Sequence, residues 1–170
     1  MRLSLKVSAA VLASLSLAGP VAAQTSGSIN ATALVRQPIT ISPGQDLDFG
    51  IVLQGTPATI ASTDAAAGRF DATGTANANV NIDFTLPTNL VNGANNLPIG
   101  SWTGCYNQSA AVNSSGCTAI ANMAGTTATS FGNVAGAGRL WVFVGATVSP
   151  GASQAVGTYT NTATLTLTYF

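Results

Sequence analysis

The residues that could do chemistry are few, and their types decide more than their spacing does. The acids are five Asp, at positions 46, 48, 64, 71 and 83, and the chain has neither Glu nor His. A hydrolase triad needs a base that gains and loses a proton near neutral pH, and those two absences remove the usual ones. No catalytic residue, and no enzyme, is expected. Asp46-Leu-Asp48 puts two carboxylates on one side of an extended segment, but calcium takes roughly six to eight oxygens and no further acid is adjacent. It reads as a solvated turn leading into a strand. Structural zinc needs four ligands from Cys, His and carboxylate, so neither a metal nor a cofactor is expected.

Two cysteines remain, Cys105 and Cys117. An even pair in an exported chain is expected to be oxidised to a disulfide. Trp102 and Tyr106 stand beside that loop, where amphipathic rings could form a platform for a sugar; packing against the core next to the disulfide is the plainer expectation. Asn30, Asn107 and Asn113 each begin an Asn-x-Ser/Thr triplet, and in a chain so rich in those residues such triplets arise by accident.

Export is read from the N-terminus. Met1 to Lys6 carries Arg2 and Lys6, Val7 to Ala18 is an almost unbroken apolar run, and Gly19-Pro20 precedes Val21-Ala22-Ala23. A basic leader, an apolar stretch and small residues before a cut are the marks of a signal peptide. Cleavage is expected after residue 23, and the run is too short to span a bilayer comfortably. Removing 23 residues from 170 leaves 147, enough for one domain with its own core. That portion, 24–170, keeps Arg36, Arg69 and Arg139 against the five Asp, a net charge of −2. Nothing in it attracts nucleic acid or anionic lipid. Charged residues make up 6% of the chain, against about 25% in ordinary soluble domains. A surface of hydroxyls and amides has few long side chains to immobilise, which suits packing against copies of itself.

The elements that position these residues are strands. Val80, Ile82, Phe84 and Leu86 alternate with Asn81, Asp83 and Thr85, the period-2 pattern of a half-buried strand. Leu140 to Val148 is apolar on both faces and reads as a central strand. Ala163, Leu165, Leu167 and Tyr169 alternate with Thr164, Thr166 and Thr168. Turn formers lie between, at Pro43-Gly44, Gly55 to Pro57, Asn92-Gly93, Asn95-Asn96, Ser115-Gly116 and Pro150-Gly151. Ala119 to Ala124 fits a short helical turn or a loop. The expected fold is all-β, an immunoglobulin-like antiparallel sandwich.

The ends carry a family resemblance. Ala31-Thr-Ala33-Leu-Val-Arg-Gln-Pro38-Ile-Thr-Ile41, then Leu47-Asp-Phe49-Gly50, and the closing Gly157-Thr-Tyr159 to Tyr169-Phe170 resemble the bacterial domain of unknown function 4402. That family is similar to spore coat protein U and to archaic chaperone-usher pilins. The resemblance implies a pilin-like sandwich that lacks one strand and leaves an apolar groove beside its last strand. A periplasmic chaperone fills such a groove first, and an N-terminal extension from the next subunit then replaces it by β-strand addition. Pilin C-termini resemble this one in having Gly at the fourteenth position from the end and an aromatic at the penultimate one, here Gly157 and Tyr169. Ala163, Leu165 and Leu167 share their parity. No Cys precedes Leu47, unlike the spore coat pattern, so the disulfide cannot be carried over from it.

At the other end Ile29, Ala31, Ala33 and Val35 share one parity and are donor-strand candidates within 24–37; they fit the protein's own first strand equally well. Two functions follow. One is a structural or adhesive subunit of a fimbrium or surface coat, exported through the periplasm, with copies of itself, a chaperone and an outer-membrane usher as partners. The other is a secreted monomeric module that binds a glycan or a surface through the Trp102 loop.

Overall fold

A computed structural model of the protein describes residues 25–170. The leader expected at 1–23, and Gln24, lie outside the described residues. The chain divides at Leu34/Val35. Residues 25–34 form no strand and are exposed.

The body is all-β, and among the described residues there is no helix. Its strands are β1 (Thr40–Gln45), β2 (Ala58–Ile60), β3 (Gly68–Thr75), β4 (Asn79–Thr85), β5 (Asn89–Asn92), β6 (Asn95–Asn107), β7 (Thr118–Ile120), β8 (Thr127–Ser130), β9 (Gly132–Val134), β10 (Ala137–Val148) and β11 (Thr164–Tyr169). All pairings are antiparallel. The larger sheet runs β1-β3-β10-β6-β5, with β2 and β9 on β10 and β7 on β6; the smaller is β11-β4-β8.

Alternation sets which side chains meet. Val80 and Ile82 of β4 and Leu165 and Leu167 of β11 face Leu140, Val142 and Val144 of β10 across the sandwich. Phe131, at the step where the chain leaves β8 for β9, is buried among them. The opposite face of β10 carries Trp141 and Phe143, which pack with Ala67 and the Cys105–Cys117 disulfide. Arg69 and Arg139 both lie over the Trp141 ring, at 5.7 and 5.0 Å, and Arg69 is held by Asp71 at 2.6 Å. That second face explains why β10 is apolar on both sides.

Two expectations need correction. Pro43-Gly44 is not a turn: both residues lie in β1, where the pairing with β3 slips between Pro43 and Gln45. β1 ends its sheet, and a proline without an N–H is tolerated at an edge and at a bulge. A Cβ at Gly44 would press on the Arg69 and Asp71 side chains and displace them. The second correction concerns Asn95-Asn96, which is not a turn but the start of β6, paired with Asn92 and Val91 of β5; Ala119 to Ala124 opens in β7 and continues as a loop, one of its two expected forms.

The sandwich has two poles at the ends of β10. At about 3.3 Å per residue its twelve residues separate them by roughly 36 Å. At the Ala137 pole, Gln37 and Tyr169 meet Thr75, the partner of Ala137. At the Val148 pole, loops 46–57 and 149–163 close the end. Leu47, Phe49, Val52 and Tyr159 pack there on Leu97, Ile99, Ala146 and Val148. The Gly55 N–H donates to the Gly151 carbonyl at 3.1 Å, and Gln154 Nε2 donates to Tyr159 Oη at 2.7 Å and to the Asn96 carbonyl at 3.0 Å.

Candidate functional site

The site begins with a mismatch between the sheets. The larger sheet holds eight strands and the smaller only three, β11-β4-β8. The deficit falls beside β11. One edge of β11 pairs with β4, from Thr164 opposite Thr85 to Tyr169 opposite Val80. Among the described residues no strand pairs with its other edge.

A groove of about 750 Å³ follows from that deficit. Its apolar lining comes from Ile41 of β1, Phe70 of β3, Ile99 of β6, Val144 of β10 and Leu165 of β11. These strands present alternate residues inward: Ile99, Val144 and Leu165 are buried at the base of the groove, and Ile41 and Phe70 are half-buried at its side. Unpaired backbone above an apolar floor is an arrangement that accepts another strand.

At the Ala137 pole the groove is closed by the chain itself. The Gln37 N–H donates to Thr75 Oγ1 at 2.7 Å, and Tyr169 Oη donates to the Gln37 carbonyl at 2.9 Å while accepting from the Thr75 N–H at 2.7 Å. The Arg36 guanidinium lies 5.2 Å from the Tyr169 ring centre. Gly74 gives these rings their room: a Cβ there would come within 2.8 Å of Phe131. At the Val148 pole the groove opens beside a second cleft of about 350 Å³ between the loops, which shares Leu47, Asp48, Leu90, Thr158 and Tyr159 with it.

The residues singled out in the sequence are not all brought together. Leu165, Leu167 and Tyr169 lie in β11 with inward parity, and Ala163 precedes the strand but lines the groove. Gly157 does not belong to that strand. It lies in loop 149–163, beside the cleft at the Val148 pole, at φ 145°, and a Cβ there would overlap the Asn92 side-chain amide. Between the two, Thr160 exchanges backbone hydrogen bonds with Val91 of β5, so the chain touches the larger sheet before crossing to the smaller one. Ile29, Ala31, Ala33 and Val35 lie outside every strand, with Ile29 95% and Val35 89% exposed.

Cys105 and Cys117 form the expected disulfide, with Cα atoms 5.5 Å apart. Trp102 is half-buried against the core, and its Nε1 donates to the Pro87 carbonyl at 3.2 Å. Tyr106 is also packed against the core. The two rings form no exposed platform.

The groove was missed in the sequence because Ile41, Phe70, Ile99 and Val144 look like ordinary core residues, and Ile99 and Val144 are buried as such; only the free edge of β11 marks the groove beside them. No protein-family model matches this chain, and no curated protein matches it.

Proposed function

We propose that this protein is an exported structural subunit that assembles by strand addition, its groove receiving the N-terminal segment of another copy. One observation carries the reading: β11 keeps an unpaired edge above an apolar groove, while residues 29–35 of the same chain stand unpaired with alternate apolar side chains. The resemblance of both chain ends to domain 4402 and pilin sequences supports it.

Size and polarity agree with this occupant. Residues 29–35 in extended form reach roughly 20 Å, the length of a six-residue strand such as β11 with its approach. Burying the exposed Ile29 and Val35 side chains contributes about 1.5–3 kcal/mol each, and Ala31 and Ala33 are small enough to pass over Phe70 and Val144. Because Arg36 and Gln37 of the receiving copy occupy the Tyr169 end, the incoming strand is joined to its own body at the Val148 pole. It therefore runs antiparallel to β11. Contacts of this kind repeat head to tail and make a fibre. A periplasmic chaperone would hold the same edge before assembly, and the fibre would be displayed at the cell surface.

The test uses the secreted full-length protein beside a form deleted from Thr25 to Val35. Gln37 is retained because it is tied to Thr75 and Tyr169. Full-length protein is expected to form polymers by size exclusion and electron microscopy. The deletion is expected to give a less stable monomer, with its melting temperature raised by a synthetic peptide of residues 25–35. A full-length chain that remains monomeric at high concentration, together with a deletion form indifferent to the peptide, removes the proposal.

A further inference from the structure

Loops 46–57 and 149–163 carry large apolar side chains that the body does not cover. Ile51 is 95% exposed, Leu53 67% and Val156 86%. These loops run side by side, with Gly55 bonded to Gly151 and Gln54 Nε2 donating to the Gln154 carbonyl at 2.5 Å. The three residues therefore share the Val148 pole. Their neighbours Leu47, Phe49 and Val52 already fill the inner side of the same loops, so Ile51, Leu53 and Val156 are not spare core residues awaiting closure. Clustered exposure of this kind marks an interaction surface.

Charge indicates what covers it. Asp46 and Asp48 border this pole, both exposed; Asp48 Oδ1 accepts the Gly50 N–H at 2.8 Å, and neither pairs with a cation. Among the described residues the only ion pair is Arg69–Asp71. Of the three described arginines, Arg69 is held by that pair and Arg139 lies against Trp141 within the sheet. Arg36 remains, on Tyr169 at the opposite pole, where the extension joins the body.

We infer that the Val148 pole is a docking face for the Ala137 pole of a second copy, with Ile51, Leu53 and Val156 covered and Arg36 of that copy set against Asp46 and Asp48. The inference rests on the strand-addition reading, which brings a neighbour's residue 35 to the mouth of the groove. Arg36 follows it directly and arrives beside the two carboxylates. Such a contact orients the incoming subunit and speeds encounter, and it gives the fibre a defined joint between bodies in addition to the shared strand.

Charge reversal tests the joint in the full-length protein. Arg36→Asp alone, or Asp46→Arg with Asp48→Arg, is expected to slow polymer formation about fivefold at low salt, the scale of one partly exposed charge contact. Mixed pairs distinguish the joint from damage. Polymer nuclei of the Asp46→Arg/Asp48→Arg form are expected to be extended faster by Arg36→Asp monomers than by unsubstituted ones. Ile51→Ser and Val156→Ser are expected to slow growth without needing a partner change. Binding of peptide 25–35 to the unsubstituted body, deleted from Thr25 to Val35, is measured in parallel. If the peptide binds while the reversals leave growth unchanged, the docking face is overturned and strand addition stands. If the peptide does not bind, strand addition fails and the docking face falls with it.

Discussion

The Tyr169 hydroxyl accepts the Thr75 N–H and donates to the Gln37 carbonyl, so one side chain ties the first strand's approach to the end of β3 from the last strand of the other sheet. Its ring lies 5.9 Å from that of Phe131 and beneath the Arg36 guanidinium. Tyr169→Phe keeps the ring contacts and leaves a part-buried N–H and a carbonyl without that partner. A loss of about 1–2 kcal/mol is expected from two such groups near water. Urea unfolding of the body deleted from Thr25 to Val35 measures it, and an unchanged midpoint would show that solvent satisfies both groups. Gly157 differs in kind, because its constraint is conformational. At φ 145° only glycine is at ease, and the space a Cβ would need is taken by Asn92. Its place fourteen residues from the end was visible in the sequence, but not that it serves the loop pole rather than the strand.

Strands were legible where one face or both had to be apolar. Residues 80–86 and 163–169 alternate because each strand has one face on the core, and the observed bounds, Asn79–Thr85 and Thr164–Tyr169, fall within one residue of the pattern. β2, β7 and β9, of three residues each, carry too few positions to show a period. β1 was hidden by Pro43-Gly44, whose turn chemistry is overridden by an edge position and a bulge. The groove was inaccessible for a different reason: it is defined by a strand that no residue supplies, and only counting the two sheets reveals it. Packing on the outer face was only half legible, as the disulfide was expected but not its contact with Trp141 and Phe143. That contact has a measurable consequence. The bridge closes a sequence separation of 12 between β6 and β7, and the chain-entropy relation assigns a loop of this length roughly 3 kcal/mol. Cys105→Ala with Cys117→Ala is expected to lower unfolding stability by about 2–3 kcal/mol, with β7 losing amide-exchange protection before β10 does. Equal loss of protection in both strands would mean that the bridge supports the whole larger sheet.

Taken as a whole, the molecule has so few cationic residues that a protease can test the proposed assembly. Residues 25–170 contain no Lys and three Arg, at 36, 69 and 139, so trypsin has three sites there. Arg69 is in β3 and Arg139 in β10, both paired on either side within the sheet. Arg36 lies in backbone that belongs to no strand, the kind of segment proteases enter first. For the monomer, brief digestion is expected to cut after Arg36 alone and leave a folded body of residues 37–170, able to accept peptide 25–35 but unable to donate. On the proposed strand-addition reading, the same bond in the polymer would lie at the mouth of a neighbour's groove, with residues 29–35 held as a strand and Arg36 against the docking face. Cleavage is then expected to slow by at least about tenfold, because the bond becomes accessible only when the joint opens. The two forms are compared at equal chain concentration by the mass of the products. Equal rates of cutting at Arg36 in monomer and polymer would mean that the extension is not the element that joins the subunits, whatever holds the polymer together.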